Sequence, residues 1–93
     1  MKHATFETYA AAMRARGFDE VVERQWAPGL VLPTHTHPFA AEALVVAGEM
    51  WLTVGAEVRL LVAGDTFALD RDAPHAERYG PDSATYWVAR RTG

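Results

Sequence analysis

Three histidines in this chain have the type and spacing of a metal site. His35 and His37 are separated by a single residue, and His75 follows much later in the chain. Alternate residues of a β-strand point to the same face, so His35 and His37 are expected to lie side by side. Two such rings, joined by a third from another strand, can hold one divalent ion through imidazole nitrogen. The fourth histidine, His3, has no comparable partner in the sequence.

The residue types leave the identity of the ion open. Histidine nitrogen suits several transition metals, and geometry and availability decide between them in a cell. The chain contains no cysteine, which excludes thiolate ligands, disulfide bonds and thiol catalysis. We therefore predict a site for one divalent transition metal ion, either Zn, Fe, Ni, Mn or Cu.

Composition restricts the remaining function classes. The 93 residues are enough for one domain, and 49% hydrophobic with 23% charged residues is typical of a soluble globular protein. The net charge of −3 argues against nucleic acid or an anionic membrane as a partner. No apolar run approaches the roughly 20 residues of a membrane-spanning helix, and no apolar block of a secretory signal follows Lys2. A cytoplasmic location is therefore expected.

One segment has the pattern of a helix. Residues 5–16 are rich in alanine, Thr5 is a favourable N-cap, and Gly17 suits the C-terminal end. The segment carries an apolar stripe that could bind a partner or pack on the outside of a sheet, and we favour packing. We therefore assign residues 1–18 to a helix packed on the rest of the domain, residues 19–93. The stripe consists of Phe6, Tyr9, Ala10 and Met13.

The rest of the chain has the pattern of short β-strands. Apolar segments are separated by glycine or proline turns about every 8–12 residues, which is typical of an all-β sandwich or barrel. Gly48, Gly55 and Gly64 are expected in turns between these strands. The predicted strands lie near residues 21–26, 30–33, 43–47, 50–54, 57–62, 66–69, 75–79 and 84–91.

The first two histidines belong to a motif that resembles one of the cupin family. The family motif joins a glycine, a His-x-His pair, a glutamate and a second glycine at short, nearly constant spacings. In this chain the corresponding residues are Gly29, His35, His37, Glu42 and Gly48. The resemblance implies that a glutamate, here Glu42, is a candidate fourth ligand of the ion.

The third histidine belongs to a second motif of the same family. Gly64, His75 and Tyr79 take the positions of the family's glycine, histidine and asparagine. The chain is therefore similar to a small single-domain cupin of the cupin 2 type. The resemblance implies a double-stranded β-helix, or jelly-roll barrel, with a short N-terminal helix and an ion on His35, His37 and His75.

Glu42 departs from the family spacing by one residue. Counted from His37, the family glutamate falls on Ala41, and a shift of one residue moves a side chain to the other face of a strand. Either a β-bulge between Pro38 and Ala41 restores the phase and makes Glu42 a ligand, or Glu42 points away from the ion. We favour the second alternative, which leaves a three-histidine site with positions open to water or a ligand.

Two residues after His75 are candidates to replace the missing carboxylate or to act in catalysis. Glu77 and Tyr79 share a face with His75 in a regular strand, so either is a candidate catalytic group for proton transfer. The alternatives are a carboxylate at the rim for Glu77 and a core aromatic for Tyr79. We expect no clamp for an anion, because Arg71 lies in a predicted turn and Arg78 has the opposite strand parity.

Two classes of function agree with such a site. The resemblance implies a metal-dependent enzyme of the dioxygenase, isomerase or decarboxylase type, acting on a small anionic or carbonyl substrate. The alternative is a non-catalytic module that binds a metal, a small ligand or both, as a sensor or storage domain. The fold does not decide between these classes, since one fold carries many functions.

The aromatic residues favour self-association. Trp26, Trp51 and Trp87 are many large aromatics for so small a core, and aromatic residues are enriched at interfaces. We therefore predict a homodimer, with the N-terminal helix and residues 84–91 at the contact. The alternative is that the three tryptophans pack inside the barrel or beneath the helix.

Overall fold

The computed structural model describes residues 5–92, which form one helix and six strands of an antiparallel sheet. It confirms the prediction of an all-β jelly-roll fold with a short N-terminal helix. Residues 1–4 and 93, and with them His3, lie outside the described residues. The elements are α1 (Phe6–Ala15), β1 (Glu20–Trp26), β2 (Val31–His35), β3 (Ala40–Val54), β4 (Glu57–Val62), β5 (Thr66–Leu69) and β6 (His75–Arg91).

Helix α1 begins and ends where its local sequence predicts. The Thr5 side chain accepts a hydrogen bond from the Thr8 backbone N–H at 3.2 Å and caps the first turn. Gly17 follows the helix with φ of +98°, a left-handed conformation that glycine adopts without a steric penalty. The predicted apolar stripe packs on the sheet, as we favoured, and its buried members are Tyr9, Ala10 and Met13.

The two long strands, β3 and β6, form the centre of the sheet. The sheet order is β1-β6-β3-β4, while β2 adds to β6 and β5 adds to β3. The sequence pattern predicts separate strands at 43–47 and 50–54, which the structure joins into β3. It also predicts separate strands at 75–79 and 84–91, which the structure joins into β6, and the pairing of β3 with β6 shifts register near Gly48. The prediction of a turn at Gly48 is therefore wrong.

Gly48 bends β3 where the backbone of β6 comes close. Its φ is +74°, and a Cβ atom at this position would lie 2.1 Å from the backbone oxygen of Ser83. Only glycine fits such an approach, so the residue allows β3 to continue through an irregular section of the sheet.

Alternation along the strands produces two packed faces. The inner face of the sheet holds the main core, to which β3 contributes Ala41, Ala43 and Val45. The opposite face of the same strands packs against α1, and we call it the helix-covered face; its buried strand residues are Val21, Leu44, Trp87 and Ala89.

The three tryptophans have three different environments. Trp87 is buried beneath α1, and Trp26 is partly buried and stacks on Tyr79 of the inner core. Trp51 lies on the outside of β3, where the Arg78 guanidinium sits 4.1 Å from its ring centroid.

None of the helices in residues 5–92 is long and apolar enough to span a membrane.

Candidate metal centre

The three histidines of the two motifs lie together at one end of the barrel. His35, at the end of β2, is the direct cross-strand partner of His75, at the start of β6. His37 follows β2, and its ring centroid is 4.8 Å from that of His35 and 5.2 Å from that of His75. Ring nitrogens from all three side chains lie within 4.8 Å of one another, so the cluster could hold a metal ion.

Backbone carbonyls orient two of the three rings. His35 Nδ1 lies 2.7 Å from the Pro33 oxygen, and His75 Nδ1 lies 2.9 Å from the Ala73 oxygen. A carbonyl only accepts hydrogen bonds, so each Nδ1 carries the proton and donates it. Both Nε2 atoms therefore keep a free lone pair, which is the arrangement common among histidines that bind metals.

His37 is held in its neutral form by its surroundings. Burial is the largest effect that lowers the pKa of His37, and the neighbouring His35 and His75 rings lower it further. Its ring also stacks on Phe39, with the centroids 4.9 Å apart. Neutral imidazole is the form that binds a metal, so this environment suits a ligand.

Glu77 places a buried carboxylate beside the histidines. The side chain lies in β6 and the residue is only 6% exposed, so it is not a rim residue. One oxygen, Oε2, is 3.6 Å from His35 Nε2 and 3.8 Å from His75 Nε2. Glu77 therefore brings one carboxylate oxygen next to two of the histidine nitrogens, where it could serve as a fourth ligand or as a proton acceptor.

Two tyrosines hold the other oxygen of Glu77. The Tyr79 hydroxyl donates to Glu77 Oε1 at 2.5 Å, and the Tyr86 hydroxyl donates to the same atom at 3.4 Å. Burial raises the pKa of Tyr86 to about 12 and that of Tyr79 well above its usual range, with smaller contributions from their neighbours. Both phenols therefore stay protonated, and they fix the carboxylate with Oε2 towards the histidines.

The phenol of Tyr79 reaches the site only through Glu77. Tyr79 is buried and stacks on Trp26, so it is a core aromatic that positions the carboxylate rather than a group that faces a ligand. Sequence reasoning missed Tyr86, which is an odd number of residues from Glu77 and would point to the opposite face in a regular strand. The register shift within β6 brings both side chains to the inner face. No local pattern identifies such a residue.

Glu42 does not lie with the histidines. Pairing of β3 stays in register from Ala40 to Val45, without a β-bulge that could turn Glu42 inward. Ala41 lines the inner face, while the Glu42 carboxylate lies 2.6 Å from Arg16 Nη2 of α1 on the helix-covered face. The structure thus corrects the inclusion of Glu42 among the candidate ligands and agrees with the favoured alternative.

A small cavity of about 40 Å³ opens beside the histidines on the inner face. His37, His75 and Glu77 form its polar wall, and Arg90 of β6 also lines it. The arginines considered from the sequence lie elsewhere, since Arg71 donates to the backbone oxygen of Thr92 and Arg78 covers Trp51. The remaining wall is mostly apolar and includes Phe39, Phe67, Leu69 and Val88.

Comparison with solved structures supports the same architecture. The chain is similar to an RmlC-like cupin from Shewanella frigidimarina NCIMB 400, with 20% identity, 78% of this chain and 65% of that chain covered, and a TM-score of 0.70. It is also similar to the DMSP lyase DddQ from Ruegeria pomeroyi DSS-3, with a sequence identity of 30% and a TM-score of 0.66. That alignment covers 76% of this chain and 36% of the lyase chain.

A third solved neighbour is oxalate decarboxylase from Bacillus subtilis, a protein with Mn(II) centres. The sequence identity is 21% and the TM-score is 0.69. The alignment covers 76% of this chain and 20% of that chain. This chain thus spans less than two thirds of the length of these neighbours. No curated protein matches the chain.

The family model of the cupin domain matches residues 22–88, which include all six strands in whole or in part and the three clustered histidines. The match covers most of the chain, and the fold and both histidine motifs agree with it. The chain therefore belongs to the cupin family.

Proposed function

We propose that this protein is a metal-dependent cupin enzyme that binds one divalent ion on His35, His37 and His75 and acts on a small ligand in the adjacent cavity. The observation that carries the proposal is the convergence of three imidazoles whose ring nitrogens lie within 4.8 Å of one another. The backbone hydrogen bonds of His35 and His75 support it, because they leave Nε2 free.

The donor set suits a transition metal. Three imidazole nitrogens and one nearby carboxylate oxygen fit Zn, Fe, Ni, Mn or Cu, so the identity of the ion needs measurement. The ion would supply a Lewis acid that polarises an oxygen atom of the ligand. Glu77 would stand at its side as a fourth ligand or as a proton acceptor.

Glu77 is the group that we propose for proton transfer. Its Oε2 atom lies beside His35 and His75, its side chain lines the cavity, and Tyr79 and Tyr86 hold Oε1. A carboxylate held in one orientation can accept a proton from a ligand carbon or oxygen bound beside it. This arrangement favours isomerase or lyase chemistry, and the 30% identity to a DMSP lyase supports the same class. Dioxygenase chemistry is the second catalytic candidate.

Elemental analysis of untagged protein purified without chelators tests the metal site. We expect about one transition metal ion per chain in the wild type and close to none in the His35→Ala/His37→Ala variant. His3→Ala is the matched control, because His3 belongs to neither motif, and it should retain the metal. Absence of metal from the wild type, with no uptake of any of the five ions, would contradict the proposal.

Turnover separates the enzyme from the binding module. Conversion of a small carboxylic acid or carbonyl compound by the metal-loaded protein, lost in Glu77→Gln assayed with enough metal to saturate its weaker site, would support the enzyme. Saturable binding with no conversion of any such compound would instead favour a sensor or storage module.

Self-association and a cytoplasmic location stay predictions. Two of the tryptophans that suggested a dimer are packed within the chain, whereas β4 exposes an apolar row on the outside of the sheet, with Val58 60% and Leu60 50% exposed. We therefore propose that a homodimer contact involves β4 rather than α1. Sedimentation equilibrium should give a dimer mass for the wild type and a smaller mass for Leu60→Glu, and a monomer mass for the wild type would contradict the proposal.

A further inference from the structure

Arg90 is a charged residue of the cavity that neither histidine motif includes. It occupies the inward position near the end of β6, since Ala84, Tyr86 and Val88 precede it on the same face at every second position. Its cross-strand partners are Ala41 of β3 and Glu20 of β1. The side chain therefore belongs to the same cavity as His37, His75 and Glu77.

The guanidinium is fixed in place but not fully paired. Nη1 donates to Glu20 Oε1 at 2.6 Å, and Cζ lies 5.0 Å from the centroid of the Phe39 ring. Within residues 5–92, the buried Nε–H group has no hydrogen-bond partner. A buried donor without an acceptor is unfavourable, and Arg90 lines the cavity, so its guanidinium is available to an acceptor that enters the cavity.

The chemistry of the cavity identifies that acceptor. Guanidinium presents parallel N–H groups that match the two oxygens of a carboxylate, and Glu20 contacts only Nη1. Ala41, directly across the strands from Arg90, contributes no acidic group. Among the lining residues within 5–92, the one acidic residue is Glu77, which the two tyrosines hold towards the histidines. The Arg90 side of the cavity is thus open to an anion from solution.

We propose that Arg90 binds the carboxylate of a small anionic ligand and orients the rest of the ligand towards the histidine cluster. The proposal rests on the proposed metal-dependent function and names its ligand class. A cavity of 40 Å³ has room for about three to four water-sized groups, so the ligand part inside it contains only a few heavy atoms. Phe39 and Val88 beside Arg90 favour an apolar link between the carboxylate and the reacting end.

Calorimetric titration of acetate into the zinc-loaded protein tests this role. Arg90→Gln should weaken acetate binding by about 10- to 100-fold, which is the loss expected for a charged hydrogen-bonded pair. Arg90→Lys should weaken it less, because lysine keeps the charge but lacks the planar fork. Acetamide, which has a similar shape and no charge, should bind the wild type and Arg90→Gln with similar, low affinity.

Arg91→Gln is the matched control. Arg91 is the next residue of β6, but its guanidinium lies 4.4 Å from the Phe18 ring centroid and donates to the Arg16 backbone oxygen, away from the cavity. It should leave acetate affinity unchanged. A second variant, Ala41→Glu, would add a carboxylate across from Arg90 and should weaken acetate binding by a similar factor to Arg90→Gln.

Zinc content and circular dichroism are measured for every variant. Acetate affinity equal to the wild type in a folded, zinc-loaded Arg90→Gln variant would overturn the inference. Failure of the wild type to take up zinc or any other ion would contradict the proposed function instead. In that case acetate is titrated into the metal-free wild type and the metal-free Arg90→Gln variant. Weaker binding by Arg90→Gln supports the inference, and equal binding contradicts it.

Discussion

The two faces of the β3–β6 pair carry similar residues in opposite roles. On the helix-covered face, Glu42 pairs with Arg16 of α1, and both side chains are open to water, at 35% and 55% exposure. On the inner face, Glu77 is 6% exposed, and its oxygens contact histidine and tyrosine side chains. Two glutamates that look alike in the sequence therefore have very different surroundings.

This difference separates residues that stabilise the fold from residues that serve a site. An ion pair in contact with water contributes little to stability, because solvent screens the attraction. A buried carboxylate loses its hydration, and hydrogen bonds from Tyr79 and Tyr86 offset that loss for Glu77. A buried carboxylate held beside a histidine cluster indicates a functional site. We expect substitutions of buried residues on the helix-covered face to change the free energy of unfolding without changing metal binding, and substitution of Glu77 to change metal binding.

The largest expected effect is on stability, at Trp87. Its ring is buried between Phe6 and Tyr9 of α1, and its indole N–H donates to Glu23 at 2.9 Å. Trp87→Ala should lower the free energy of unfolding by about 3–5 kcal/mol, measured by urea denaturation, because it leaves a large cavity beneath the helix. The folded variant should still bind metal with wild-type stoichiometry, and loss of metal from the folded variant would break the separation of the two faces.

The next effect is on metal affinity and compares the two glutamates directly. Glu77→Gln should weaken metal binding by about 10- to 100-fold, because the carboxylate beside His35 and His75 loses its charge. Glu42→Gln should leave metal affinity unchanged, since its carboxylate is paired with Arg16 on the other face. Competition with a chromogenic chelator measures both, and equal effects of the two substitutions would contradict the assignment.

A smaller effect is expected from the tyrosines that hold Glu77. Tyr79→Phe should lower the free energy of unfolding by roughly 1.5 kcal/mol, because a buried charge-assisted hydrogen bond is lost. Tyr86→Phe should have a smaller effect, since its hydroxyl lies 3.4 Å from Glu77 Oε1 instead of 2.5 Å. Urea denaturation of the metal-free proteins compares them, and a larger effect at Tyr86 would reverse this order.

The smallest effect is expected for the exposed ion pair. Arg16→Gln should change the free energy of unfolding by about 0–1 kcal/mol, and the difference from wild type should shrink in high salt. Metal affinity should stay at the wild-type value. A change in metal affinity above about threefold would show that the helix-covered face is coupled to the site.

Features that depend on near neighbours could be predicted from the sequence. The helix with its Thr5 cap and Gly17 end follows from local preferences, and its apolar stripe follows from helical spacing. Glu42 lies away from the histidines, but alternation along one strand from His37 is not the reason, since His37 lies between β2 and β3 and the alternation within β3 sets the face of Glu42. The joined strands and the bend at Gly48 could not be predicted, since they depend on the approach of Ser83 in β6.

The sequence by itself predicted an all-β domain from its turn spacing, and the resemblance of two short motifs to the cupin family predicted the barrel and the histidine triad, because these signals lie within short segments of the chain. Only the tertiary structure decided that Tyr86 and Arg90 join Glu77 at one cavity and that Trp87 lies beneath α1. These placements depend on the register between strands distant in sequence, with shifts inside β3 and β6. The register results from many contacts across the sheet, so a short motif cannot predict it.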